Sequence, residues 1–140
     1  MVAQRDKPKL LLEATYGEFD QTTWHAAADQ LTPYFGVEGG LMVELAEDIA
    51  PHVVVAITAY TPLAQEVLTG VLSGALYDAL KTFLRPGKKP RFELSMKYPD
   101  GHQISYVQER TDNTEVLKQL IDKFGDSVAQ SFEQRPEDRR

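Results

Sequence analysis

His25 and Asp29 stand four residues apart in the run QTTWHAAADQL, the spacing that puts two side chains on one flank of a helix. A carboxylate beside an imidazole can orient it as a general base, so this pair is a candidate proton-transfer device. No nucleophile accompanies it: the chain has no cysteine and no serine in a G-x-S-x-G elbow. His52 and His102 lie far from His25 and from each other in sequence, without the spacing of metal ligands. Glu44, Glu47 and Asp48 would share a face on a helix but divide between two faces of a strand, and alone they are too few for a hard cation. The run from Phe35 to Gly40, FGVEGG, is rich in glycine yet lacks the lysine and the strand-to-helix setting of a phosphate loop. Phe92, Tyr98 and Tyr106 resemble a stacking platform for single-stranded RNA, although aromatics that alternate along a strand more often face a core. These patterns ask for no metal and no cofactor, and they carry no catalytic signature.

Charge narrows the partners. Fifteen Lys and Arg against 21 Asp and Glu leave a formal charge of -6, which opposes non-specific attraction to nucleic acid or an anionic membrane. The basic exception is Lys81, Arg85, Lys88, Lys89 and Arg91, a cluster with no acid between its members. It reads as favourable charge at a helix C-terminus and a soluble corner, or as a docking point for an acidic partner or phosphate. The uncharged run from 49 to 65 contains two prolines and a histidine and is shorter than the ~20 apolar residues that span a bilayer. The segment MVAQRDKPK lacks the apolar core of a signal peptide, and the absence of cysteine suits a reducing compartment, so a cytoplasmic location is expected.

The elements that would position these residues follow from hydrophobic periodicity. Residues 1–8 read as a flexible arm, 9–133 as a single domain and 134–140 as a flexible tail. Alternation from Lys9 to Tyr16 predicts a first strand, with Leu11 giving its second face some apolar character. Asp20 or Thr22 can cap a helix that buries Trp24, Ala28 and Leu31 and closes at Pro33 and Gly36. Leu41, Val43 and Leu45 alternate like a strand, while Leu41, Leu45, Asp48 and Ile49 are also helix-spaced; the β-branched run Val53–Val55, Ile57 and Thr58 favours a strand. Two strands around Pro51 are therefore expected.

From Pro62 to Leu84, adjacent apolar pairs such as Val67/Leu68, Ala75/Leu76 and Ala79/Leu80 recur every four residues and predict one long helix. Gly70, Ser73, Gly74 and Tyr77 lie on its other side, and each interior glycine costs about 1 kcal/mol relative to alanine. Either the helix bends there, or another backbone packs closely on the small residues, from the same chain or from a partner that includes a second copy. Pro86 and Gly87 end the helix. Phe92, Leu94, Met96 and Tyr98 then alternate with Glu93, Ser95 and Lys97, and Pro99-Asp100-Gly101-His102 turns the chain into an antiparallel strand from Gln103 to Glu109. Asp112 with Glu115 resembles a helix cap, and Val116, Leu117, Leu120, Ile121 and Phe124 supply the stripe of a last helix that Gly125 should interrupt.

The succession ALYDALKTFLRPGKKPRFELSMKYPDGHQISYVQERTDNTEVLKQLIDKF resembles the effector-associated constant component domains of bacterial conflict systems, and the similarity covers residues 63–124. That family is a non-enzymatic adaptor joined to, or encoded beside, protease-like or other effectors. The resemblance implies an interaction module with a protein partner and no catalysis. The expected architecture is α+β, a mixed or antiparallel sheet covered by helices in the order βαββαββα, with a ferredoxin-like arrangement among the candidates. The expected interface is the Gly70, Ser73, Gly74 and Tyr77 face, or the basic corner of Lys81, Arg85, Lys88, Lys89 and Arg91. Two other readings remain: a ligand-binding protein or small enzyme with a pocket near Trp24 and His25, and an acidic immunity protein that blocks a basic toxin.

Overall fold

Strands with one apolar face must bury it, and the computed structural model shows how three of them do so side by side. Leu10, Leu12 and Ala14, then Val53, Val55 and Ile57, then Phe92, Leu94 and Met96 are all buried, while the residues between them are more exposed, Thr15 excepted. Residues 8–15, 19–42, 52–58, 72–84, 89–98 and 101–138 are the ones described. In chain order the elements are β1 (Lys9–Thr15), α1 (Gln21–Leu31), β2 (Gly36–Met42), β3 (His52–Thr58), α2 (Leu72–Leu80) with a 3-10 turn (Lys81–Phe83), β4 (Arg91–Lys97), β5 (Gln103–Gln108) and α3 (Thr114–Asp138). The class is α+β, with a mixed five-stranded sheet in the order β2-β1-β3-β4-β5.

The pairing departs from a ferredoxin-like arrangement, in which strands of two units interleave. Here β1 lies directly beside β2 in parallel, β3 lies directly beside β4 in parallel, and β1 and β3 join the two halves antiparallel. Each parallel pair is bridged by a helix, α1 or α2, and these helices pack on each other. Phe83 is fully buried and meets Phe19 edge-on, with ring centroids 5.0 Å apart, tying the turn after α2 to the entry of α1. Burying a phenylalanine of this kind stabilises by about 1.5–3 kcal/mol. α3 packs on α2 and β5, burying Leu117, Leu120, Ile121, Phe124 and Val128 in the same core.

Local chemistry explains most element ends. Asp20 caps α1 as expected, its carboxylate accepting from the Thr23 backbone N–H at 2.8 Å. The β4–β5 hairpin closes through the Tyr98 N–H to the His102 carbonyl at 2.8 Å, and Gly101 takes a φ of +93° that disfavours other residues. At α3 the cap is Asn113 rather than Asp112: its side-chain oxygen accepts from the N–H groups of Glu115 at 2.8 Å and Val116 at 3.2 Å. The Thr111 hydroxyl accepts from the Asn113 N–H at 3.0 Å and so fixes that register. Gly125 does not interrupt the helix, which continues to Asp138. Helical neighbours Phe124 and Val128 are both fully buried, and that packing outweighs a glycine penalty of about 1 kcal/mol.

β2 begins at Gly36, upstream of the expected Leu41, so the glycine-rich FGVEGG run is strand from its second residue on. Gly39 is opposite Leu12 in the β1 register and has φ +112°. A Cβ there would sit 2.2 Å from the Leu12 carbonyl oxygen, so only glycine passes at this point. The Leu12 oxygen instead accepts the Trp24 indole Nε1–H from α1 at 2.8 Å. One buried aromatic thus satisfies the carbonyl and locks α1 onto β1. Of the long helix expected over 62–84, the described part is α2 with its 3-10 turn; residues 62–71 lie outside the described residues.

Candidate functional site

The packing of α1 on α2 leaves a groove of about 390 Å³, lined by Asp29, Gln30, Pro33 and Tyr34 from the end of α1 and the turn after it, and by Gly74, Ala75 and Asp78 from α2. Periodicity places these residues there. Ala28 and Leu31 bury one side of α1, which leaves Asp29 and Gln30 at the surface. On α2, Ala75, Leu76, Ala79 and Leu80 face the core, and Gly74 and Asp78 are exposed one turn apart. A Cβ added at Gly74 would meet no atom of the described residues within 4 Å, so close packing by them is not what the glycine serves at this position. Tyr34 is 37% exposed, and with Val107 it is one of two large apolar side chains displayed at the surface among the described residues.

The described residues of the two expected surfaces have different surroundings. Gly74 lies in the groove, whereas Tyr77 is half-buried against the core and carries the Lys81 ammonium 5.3 Å from its ring centroid. Ser73 belongs to α2, while Gly70, Arg85 and Lys88 lie outside the described residues. Lys81 is exposed and pairs with Asp78 at 3.6 Å; Lys89 is exposed. Arg91 sits on the sheet face away from the helices, with its Nε 3.3 Å from Glu109 and its Nη1 3.4 Å from His52 Nε2 and 4.0 Å from Glu93. His52 Nε2 is also 3.5 Å from Glu93, so this nitrogen meets Arg91 as an acceptor or Glu93 as a donor, according to its proton. Of the described members of the basic cluster, Lys81 and Arg91 thus have carboxylates nearby.

Trp24 and His25, the residues expected beside a pocket, do not line this groove. Trp24 is 9% exposed with its indole N–H committed to Leu12, and His25 is exposed with its ring edge-on to Trp24 at 5.2 Å. The groove opens one turn further along α1, at Asp29. Phe92 and Tyr98 are buried, and Tyr106 is half-buried, edge-on to Phe124 at 6.3 Å and hydrogen-bonded to Ser127. These aromatics are therefore turned to the helix side, not displayed as a stacking platform. Glu44, Glu47 and Asp48 lie outside the described residues. Among the described residues no group of three or more His, Asp or Glu is arranged to hold a metal, and no helix is long and apolar enough to cross a membrane.

The sequence reading missed Tyr34 and Asp78 and tied Asp29 to His25. Their meeting depends on α1 packing against α2, a contact between distant segments that local periodicity does not report. The surface positions of Asp29 and Asp78 on their own helices were the available signal. No family model, curated protein or solved structure matches the chain.

Proposed function

We propose that the chain is a non-catalytic adaptor that binds another protein through the groove between α1 and α2. The observation that carries this reading is Gly74. A glycine in a helix costs about 1 kcal/mol relative to alanine, and among the described residues no atom within 4 Å of a Cβ accounts for it at this site. A partner backbone or side chain approaching the bare helix surface would account for it. The same groove displays Tyr34, and exposed aromatics are favoured anchors at protein interfaces.

The sequence resemblance over 63–124 supplies the rest of the proposal: the partner is an effector of a bacterial conflict or defence system, protease-like effectors included, and the encounter takes place in the cytoplasm. Affinity purification of the full chain from its native host, followed by mass spectrometry, tests this. Stoichiometric recovery of such an effector is the expected result. Recovery of the folded protein alone, at good yield, contradicts it.

A further inference from the structure

We infer that the groove between α1 and α2 receives a lysine or arginine side chain of the bound protein. This rests on the reading of the groove as the interface. Its walls carry one sign of charge: Asp29 on α1 and Asp78 on α2, with no cationic residue in the lining among the described residues. Between them lie the apolar surfaces of Pro33, Ala75 and Tyr34 and the bare backbone of Gly74. That combination fits a side chain with a hydrocarbon stem and a charged head better than it fits other occupants. An aliphatic or aromatic side chain would draw Asp29 and the loosely paired Asp78 out of water without adding a countercharge, and an acidic one would be repelled.

The charges already present leave room for such a guest. Lys81 holds Asp78 at 3.6 Å, but both side chains are about half exposed, with relative accessibilities of 50% and 53%, so the contact is weak and exchangeable. Asp29 has no cationic partner among the described residues. A cation entering the groove meets a lining that carries carboxylates from both helices.

The test is a nuclear magnetic resonance titration of the 15N-labelled full chain with the blocked tripeptide Gly-Arg-Gly, and separately with Gly-Glu-Gly, at low ionic strength. Because a single side chain binds in the millimolar range at best, peptide is carried to about 20 mM. The arginine peptide is expected to shift the backbone amides of Gln30, Tyr34, Gly74 and Ala75, and the glutamate peptide to leave them in place. Removing each carboxylate should weaken the response by about two- to fivefold, as exposed ion pairs do, so Asp29→Asn with Asp78→Asn should weaken it several-fold. The inference is overturned if the arginine peptide produces no shifts at the groove, if the glutamate peptide produces the same ones, or if the double variant responds undiminished.

Failure here is separable from failure of the interface reading. If Gly74→Leu abolishes capture of the partner while the arginine peptide leaves the groove unmoved, the interface stands and the basic occupant falls. If Gly74→Leu retains the partner, the groove is not the interface, whatever the peptide does, and this inference falls with it.

Discussion

Replacing Trp24 with phenylalanine removes the indole N–H that reaches the Leu12 carbonyl at 2.8 Å and leaves most of the aromatic bulk in place. Gly39 passes close to that oxygen without covering it with a side chain, and Trp24 is 9% exposed, so water does not readily replace the lost donor. An unsatisfied buried carbonyl costs about 1–3 kcal/mol. The smaller ring adds a partial cavity, for which about 1 kcal/mol is a fair share of the 3–5 kcal/mol seen when a whole buried Trp or Phe becomes alanine. The expected loss is therefore about 2–4 kcal/mol. At roughly 3–4 °C per kcal/mol for a domain of this size, Tm should fall on the order of 6–16 °C. Urea unfolding followed by circular dichroism gives the free energy, with an unchanged m-value expected because the same surface unfolds. A loss below about 0.5 kcal/mol, a surface-substitution value, would refute the view that this bond anchors α1 to the sheet.

Two glycines of β2 should behave oppositely. Gly39→Ala puts a Cβ against the Leu12 oxygen at a φ of +112° and is expected to destabilise by about 2 kcal/mol or more, while Gly36→Ala, whose Cβ meets nothing, should stay within about 0.5 kcal/mol; equal effects in thermal melts would contradict the β1–β2 register. Asn113→Ala should cost about 1 kcal/mol through loss of the α3 cap, and Asp112→Ala no more than about 0.5 kcal/mol. The reverse ranking in chemical denaturation would place the cap where the sequence alone put it.

The parts legible in the sequence are those set by short-range chemistry. Phe92 to Tyr98 alternates strictly and all four apolar members are buried; Gly101 supplies the positive φ its turn needs; Asp20 caps the helix that buries Trp24, Ala28 and Leu31. What was not legible depends on segments meeting. Gly39 and Gly40 look like strand breakers until β1 lies alongside, where Gly39 is required by the approach to Leu12. Asp112 and Asn113 are both good caps, and the choice is made by the Thr111 hydroxyl. Gly125 reads as a break because its penalty is local, whereas the burial of Phe124 and Val128 that outweighs it comes from packing on α2 and β5. The strand order depends on β1 pairing with β3, and the groove depends on Asp29, Tyr34 and Asp78 being gathered by the packing of α1 on α2.

The central claim is that Gly74 lies under a bound protein. It is tested most directly by measuring the affinity of the captured partner for the wild type, Gly74→Ala and Gly74→Leu by isothermal titration calorimetry, with circular dichroism on each chain. Among the described residues a Cβ at position 74 meets no atom within 4 Å, so the alanine variant should fold and add up to about 1 kcal/mol of stability, while circular dichroism establishes that the leucine variant is folded. The expected result is affinity close to wild type, or modestly reduced, for alanine, and a loss of at least about tenfold for leucine, whose branched end would fill the groove floor. Wild-type affinity in a folded Gly74→Leu chain would contradict the account.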